Sequence, residues 1–101
     1  MKDSPDYFKL LDHRLGIIQG ILYDFRVLCH IKGIQASRVA LFAFLSDLNH
    51  IENDILYAKM RDYFGGVFPT MSRTDISIKD KINCLAIAGD LIRRTPYEES
   101  V

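Results

Sequence analysis

The fold turns on residues 8–33, FKLLDHRLGIIQGILYDFRVLCHIKG. Phe8, Leu11, Leu15, Ile18, Leu22, Phe25 and Cys29 recur at alternating spacings of 3 and 4. That 3.5-residue period is the pattern of a helix that offers one apolar seam to a partner helix. Upstream, Asp3 or Ser4 supplies a cap, Pro5 suits the first turn, and Asp6 suits the positive end of the helix dipole. Gly33 stops the run, with His30 and Lys32 in its last turn. A helix over 5–32 is roughly 40 Å long at ~1.5 Å per residue, which is long for a chain of 101 residues.

The seam has apolar flanks, Leu10 and Ile17 on one side and Ile21 and Leu28 on the other. A face this wide meets more than one neighbour. So small a bundle is not expected to cover both flanks along the whole helix. Leu10, Ile17, Ile21 and Leu28 are therefore the expected self-association surface, and a homodimer the expected state. Gly16 and Gly20 lie on the opposite side. Each costs about 1 kcal/mol relative to Ala in a helix. A tolerated pair on a solvated face is the expectation; the other reading is a bare patch where a second backbone approaches.

Downstream, GIQASRVALFAFLSDLNHIENDILYAKMRDYFGG (33–66) predicts one long helix or two helices over 36–64, with a kink near Asn49 in the second case. VALFAFL is apolar on every side and reads as a central helix. Phe44, Leu48, Ile51, Ile55 and Ala58 extend a stripe, with Leu56, Met60 and Phe64 as a neighbouring line. Gly65 and Gly66 end it, and VFPTMSRTD is a loop. SIKD (77–80) has the form of a capping box before a last helix over 77–94, with Ile78, Ile82, Leu85, Gly89 and Ile92 on one face. Thr95 and Pro96 stop that helix. The fold class is all-α: a three- to four-helix antiparallel bundle with a long N-terminal helix, in a single domain over 1–101.

Composition narrows the function. Apolar residues make up 49% of the chain, too many for a disordered one. Thirteen basic residues balance thirteen acidic ones, which argues against broad electrostatic binding to nucleic acid or an anionic membrane. No run approaches the ~18 uninterrupted apolar residues of a membrane span, so a cytoplasmic, membrane-free protein is expected. Cys29 and Cys84 fall inside apolar helical patterns and read as small buried hydrophobes. No histidine spacing accompanies them, so no metal and no cofactor are expected. His50 and Asp54 stand four apart and would pair across one helical turn, but a single pair supplies too few ligands for an ion.

Two resemblances are local. Arg26 and His30 resemble the Arg/His pair of HEPN-type helical ribonucleases, whose motif has more residues between the two. KGIQASRVALFAFLSDLNHIEN (32–53) resembles the opening of a helix-turn-helix of the Cro/repressor type. Gly33, Ile34, Val39 and Ala40 fall where that family places Gly, two aliphatic residues and Ala, and Ser46 and Ile51–Asn53 echo its later part. The resemblance implies a recognition helix near Ser46–Asn53 with Asn49, His50 and Asn53 at base edges. DNA binding is the alternative reading. The primary one is a non-enzymatic helical protein that acts through a protein partner, as a regulator, inhibitor or immunity-type binder, antitoxin or assembly subunit. Its expected partner-facing cluster is Asp47, Asn49, His50, Glu52, Asn53 and Asp54.

Overall fold

The computed structural model describes residues 5–66 and 68–95, with side chains from Phe8 onward. Among these residues there are four α-helices and no strand. Helix α1 spans Pro5–Lys32 and stops where Gly33 takes a positive φ of 92°. The Gly33 N–H still donates to the Cys29 carbonyl at 2.9 Å, closing the last turn. Helix α2 spans Ile34–Asp47. Short 3-10 turns at Leu48–His50 and Asn53–Ile55 follow, separated by Ile51 and Glu52, and lead into α3, Leu56–Phe64. Gly65 ends α3 in the left-handed region at φ 66°, its N–H bonded to the Arg61 carbonyl. A further 3-10 turn, Pro69–Ser72, precedes α4, Ile78–Arg94. The Ser77 hydroxyl caps α4 by accepting from the Asp80 N–H at 3.1 Å.

The polar cluster after Ser46 is thus the place where the middle helix breaks. Helix α2 doubles back along α1 from the Gly33 turn. Helix α4 lies antiparallel to α2: Arg38 Nη1 donates to the Ile92 carbonyl, and Gly89 faces Leu45 further down. Against α1, however, α4 runs parallel. His13 meets Asp80, Cys84 Sγ donates to the Arg14 carbonyl, and Phe25 shares a groove with Ile92. The reason is the connection over 65–77. It carries the chain back down the side of α1 before α4 begins, so α4 must rise in the direction of α1.

The core is centred on α1, which packs against α2, α4 and the Pro69–Ser72 turn. Its most buried side chains are Ile17, Ile21 and Leu28, at 2%, 0% and 0% exposure. Leu41 and Phe44 come from α2, Leu56, Met60 and Phe64 from α3, and Cys84, Leu85 and Ala88 from α4. Phe44 meets Phe64 edge-on, with ring centroids 5.3 Å apart. Each such side chain removed from water contributes about 1.5–3 kcal/mol. The central helix is therefore α1 and not α2. VALFAFL leaves Val39 exposed, because α2 has α1, α3 and α4 on its other sides but nothing outside it.

A buried hydrogen bond fixes the long connection. The Asp24 carboxylate, buried on α1, accepts from the Thr70 N–H at 2.9 Å. One turn earlier, Gly20 leaves room for Thr70 itself: a Cβ there would stand 2.7 Å from Thr70 Oγ1. Gly20 is thus the bare patch of close approach, whereas at Gly16 a Cβ would meet nothing within 4 Å. On α4, Lys81 is buried at 1% exposure; its ammonium donates to the Tyr57 hydroxyl and lies 4.7 Å from the centroid of the same ring.

Candidate functional site

The residues expected to form a self-association surface do not lie together. Ile17, Ile21 and Leu28 are inside the chain's own core, and of the four only Leu10 is exposed. The correction has a simple physical cause. The bundle packs against a line of α1 one residue off the expected seam, running Ile17, Ile21, Asp24, Leu28. Ile18 and Phe25 of the seam are also buried, and Leu22 and Cys29 are half-buried at the edge.

The seam's first three members have the opposite fate. Phe8, Leu11 and Leu15 are 50%, 41% and 50% exposed, and Leu10 beside them 46%. Helix α1 has 28 residues, about 42 Å, against 17 in α4 and 14 in α2. Its N-terminal part projects beyond the helices that would cover it. Further along, His13 lies 3.9 Å from Asp80 and the Arg14 carbonyl accepts from Cys84 Sγ, both residues of α4. Phe8, Leu11 and Leu15 thus share one exposed side of the helix at i, i+3 and i+7, with Leu10 exposed about a third of a turn away.

The polar cluster Asp47, Asn49, His50, Glu52, Asn53 and Asp54 is exposed throughout. It occupies the corner between α2 and α3, so its members do not share one helix face. Asp47 accepts a hydrogen bond from the Tyr63 hydroxyl, and this bond raises the tyrosine's pKa. Asn49 lines a shallow cleft between α2 and α4. His50 and Asp54 belong to different 3-10 turns, and no ion pair joins them: the helical turn that would have placed them together is not formed. For the same reason the recognition helix implied near Ser46–Asn53 is absent, its place taken by the end of α2, one 3-10 turn and extended backbone.

A second concavity was not anticipated. A groove of about 820 Å³ opens between the C-terminal part of α1, the start of α2 and the end of α4. Among the described residues it is lined by apolar side chains, among them Leu22, Phe25, Ile34 and Ile92, and by Arg26, His30, Arg38 and Thr95. Cys29 also lines it, and burial pushes its thiol pKa up, against smaller opposing pulls from the Ser37 hydroxyl and Arg38. Burial likewise raises the Cys84 thiol. A raised value disfavours the thiolate, the form in which a cysteine acts as a nucleophile. The sequence signal that could have located the groove is the i, i+4 pair Arg26–His30 together with Arg38, which the turn at Gly33 folds back beside it.

Among the described residues no group of three or more His, Cys, Asp or Glu is placed to hold a metal ion, and no helix is long and apolar enough to cross a membrane. No protein-family model, no curated protein and no solved structure matches this chain.

Proposed function

We propose that this is a small non-catalytic helical protein that works by binding protein, and that its binding element is the projecting N-terminal part of α1. The observation that carries this reading is the exposed strip Phe8, Leu11 and Leu15. Phe8, Leu11 and Leu15 repeat at i, i+3 and i+7, so a partner helix laid along this part of α1 would meet a regular seam. A second copy of the chain is the simplest such partner, since two identical strips are self-complementary about a two-fold axis. The zero formal charge of the chain sets up no long-range repulsion between copies.

Sedimentation velocity on the wild type and on a Leu11→Glu/Leu15→Glu double variant tests it. The expected result is a wild-type dimer and a monomeric variant with unchanged helix content by circular dichroism. A wild type that sediments as a monomer at every concentration would remove the second copy as partner. Equal association of the two proteins would remove the strip as the binding element.

A further inference from the structure

Helix α4 has two large apolar side chains outside the core. Ile87 and Leu91 are 46% and 45% exposed, whereas Leu85, Ala88 and Ile92 of the same helix are buried. Ile87 and Leu91 stand four residues apart and so share one side of α4. Resting on the reading of Phe8, Leu11 and Leu15 as the strip where copies meet, we infer that Ile87 and Leu91 belong to the same association face. A second copy of the chain then docks on two helices of each protomer and not on one.

The register of α4 on α1 places the pair. The two helices run parallel, with Cys84 Sγ donating to the Arg14 carbonyl. Two turns further along, Leu91 borders the same groove as Leu22. Ile87 is one turn before Leu91 and therefore stands level with Ile18, one turn before Leu22. On α1, Leu15, Ile18 and Leu22 continue the side that bears Phe8 and Leu11, at the same alternating spacing. That side sinks as α4 rises beside it: Leu15 is 50% exposed, Ile18 only 9%, and Leu22 is half-buried. At the levels of Ile18 and Leu22 the exposed apolar surface passes to Ile87 and Leu91. The face runs from Phe8 to Leu91 along one side of the α1 and α4 pair.

The area that a dimer needs favours this larger face. A stable interface takes roughly 800 Å² and 20–30 residues from each partner. Three side chains on one helix fall far short of that. A lone partner helix laid on the start of α1 would leave Ile87 and Leu91 in water. A second copy brings its own α1 and α4 about the two-fold axis, so the whole face of one protomer meets the whole face of the other.

Sedimentation equilibrium of the full chain tests this on the wild type and three variants. Ile87→Glu/Leu91→Glu is expected to raise the dimer dissociation constant at least about tenfold. Its helix content and its melting in dilute solution should match the wild type, because both positions are exposed. Ile87→Gln/Leu91→Gln, which adds no charge, should weaken the dimer in the same direction. Ala86→Glu adds a charge to the same turn of α4 on the side that borders the cleft with α2, and should dimerise as the wild type does. Wild-type affinity in both Ile87/Leu91 variants, with the dimer lost in Leu11→Glu/Leu15→Glu, would overturn the two-helix face and leave the α1 strip standing. Equal weakening by Ala86→Glu would overturn it as an effect of charge alone. A monomeric wild type would overturn the two-helix face and the strip together.

Discussion

Helix α1 contains two halves with one sequence pattern and two environments. From Phe8 to Gly16 every residue is exposed; from Ile17 to Leu28 the helix supplies the centre of the core. Both halves carry apolar residues at helical spacing, and no break in the backbone separates them. The difference lies in what stands beside them. The second half has α2, α4 and the Pro69–Ser72 turn against it; the first meets the start of α4 on one side, at His13 and Arg14, and its beginning extends past that helix. Periodicity therefore reports which face of a helix is apolar. How much of that face the chain itself covers depends on the lengths of the other helices.

The sharpest way to break the comparison is to place the same charge in each half. Ile21→Glu puts an unpaired carboxylate at a position with 0% exposure, surrounded by core. Its expected cost exceeds about 4 kcal/mol, comparable to the whole stability of a domain of this size. The variant should lose its cooperative thermal transition. Leu11→Glu, in the exposed half, should alter the stability of the dilute protein by no more than about 0.5 kcal/mol. If both variants melted like the wild type, α1 would not be the centre of the core. If both unfolded, the projecting half would be packed after all.

Much of this arrangement was legible in the sequence. Gly33 and Gly65 mark helix ends because the backbone there takes a positive φ, and Ser77 with Asp80 marks a start because a hydroxyl three residues upstream can reach a bare N–H. The break after Ser46 was one of two open readings of a polar cluster. The buried line of α1 was not legible, and Asp24 shows why. A carboxylate in the middle of Ile17, Ile21 and Leu28 makes that line look amphipathic and shifts the apparent seam by one residue. Its burial rests on the Thr70 N–H, 46 positions away, and no local pattern announces such a partner. On α4 the burial of Lys81 likewise rests on a partner distant in sequence, Tyr57. The groove was missed because its basic residues come from both sides of the Gly33 turn, and only the turn brings them together.

Smaller effects sharpen the account of the buried half. Asp24→Ala removes the acceptor from a buried N–H and should cost about 1–3 kcal/mol. Gly20→Ala should cost a similar ~1–3 kcal/mol by overpacking. Its new methyl would collide with Thr70, a β-branched residue on a turn already held by Asp24. Because both changes loosen the same contact, the double variant should be less destabilised than the sum of the two. Additivity in chemical denaturation would show that Gly20 and Asp24 do not act on one docked turn.

Alkaline pH acts on the same half of the molecule. The folded-state pKa values of Cys29 and Cys84 are raised, mainly by burial. A raised value means that the fold favours the protonated thiol. The associated stability is fully present below the ordinary thiol pKa and is lost as pH rises from there through the raised values. Melting temperatures of the wild type should therefore fall across that window more than those of a Cys29→Ala/Cys84→Ala variant compared with its own neutral-pH value. Parallel pH profiles for the two proteins would show that the thiols carry none of the dependence.

A further small effect has the opposite sign to that of Gly20→Ala and lies one helical turn away. Gly16 is exposed, has no positive φ, and offers a Cβ nothing to meet within 4 Å. Alanine there restricts the unfolded chain and adds no clash, so Gly16→Ala should stabilise by up to ~1 kcal/mol. Two glycines four residues apart on one helix would then respond in opposite directions, because one belongs to the covered half and the other to the projecting half. Chemical denaturation at several protein concentrations makes the experiment more specific. A gain in stability that is the same at all concentrations places Gly16 in solvent in every state of the protein. A gain in dilute solution that turns into a loss where copies associate would mean that the second copy approaches the Gly16 side of α1. The self-association surface would then be the bare face of the helix and not the strip Phe8, Leu11, Leu15.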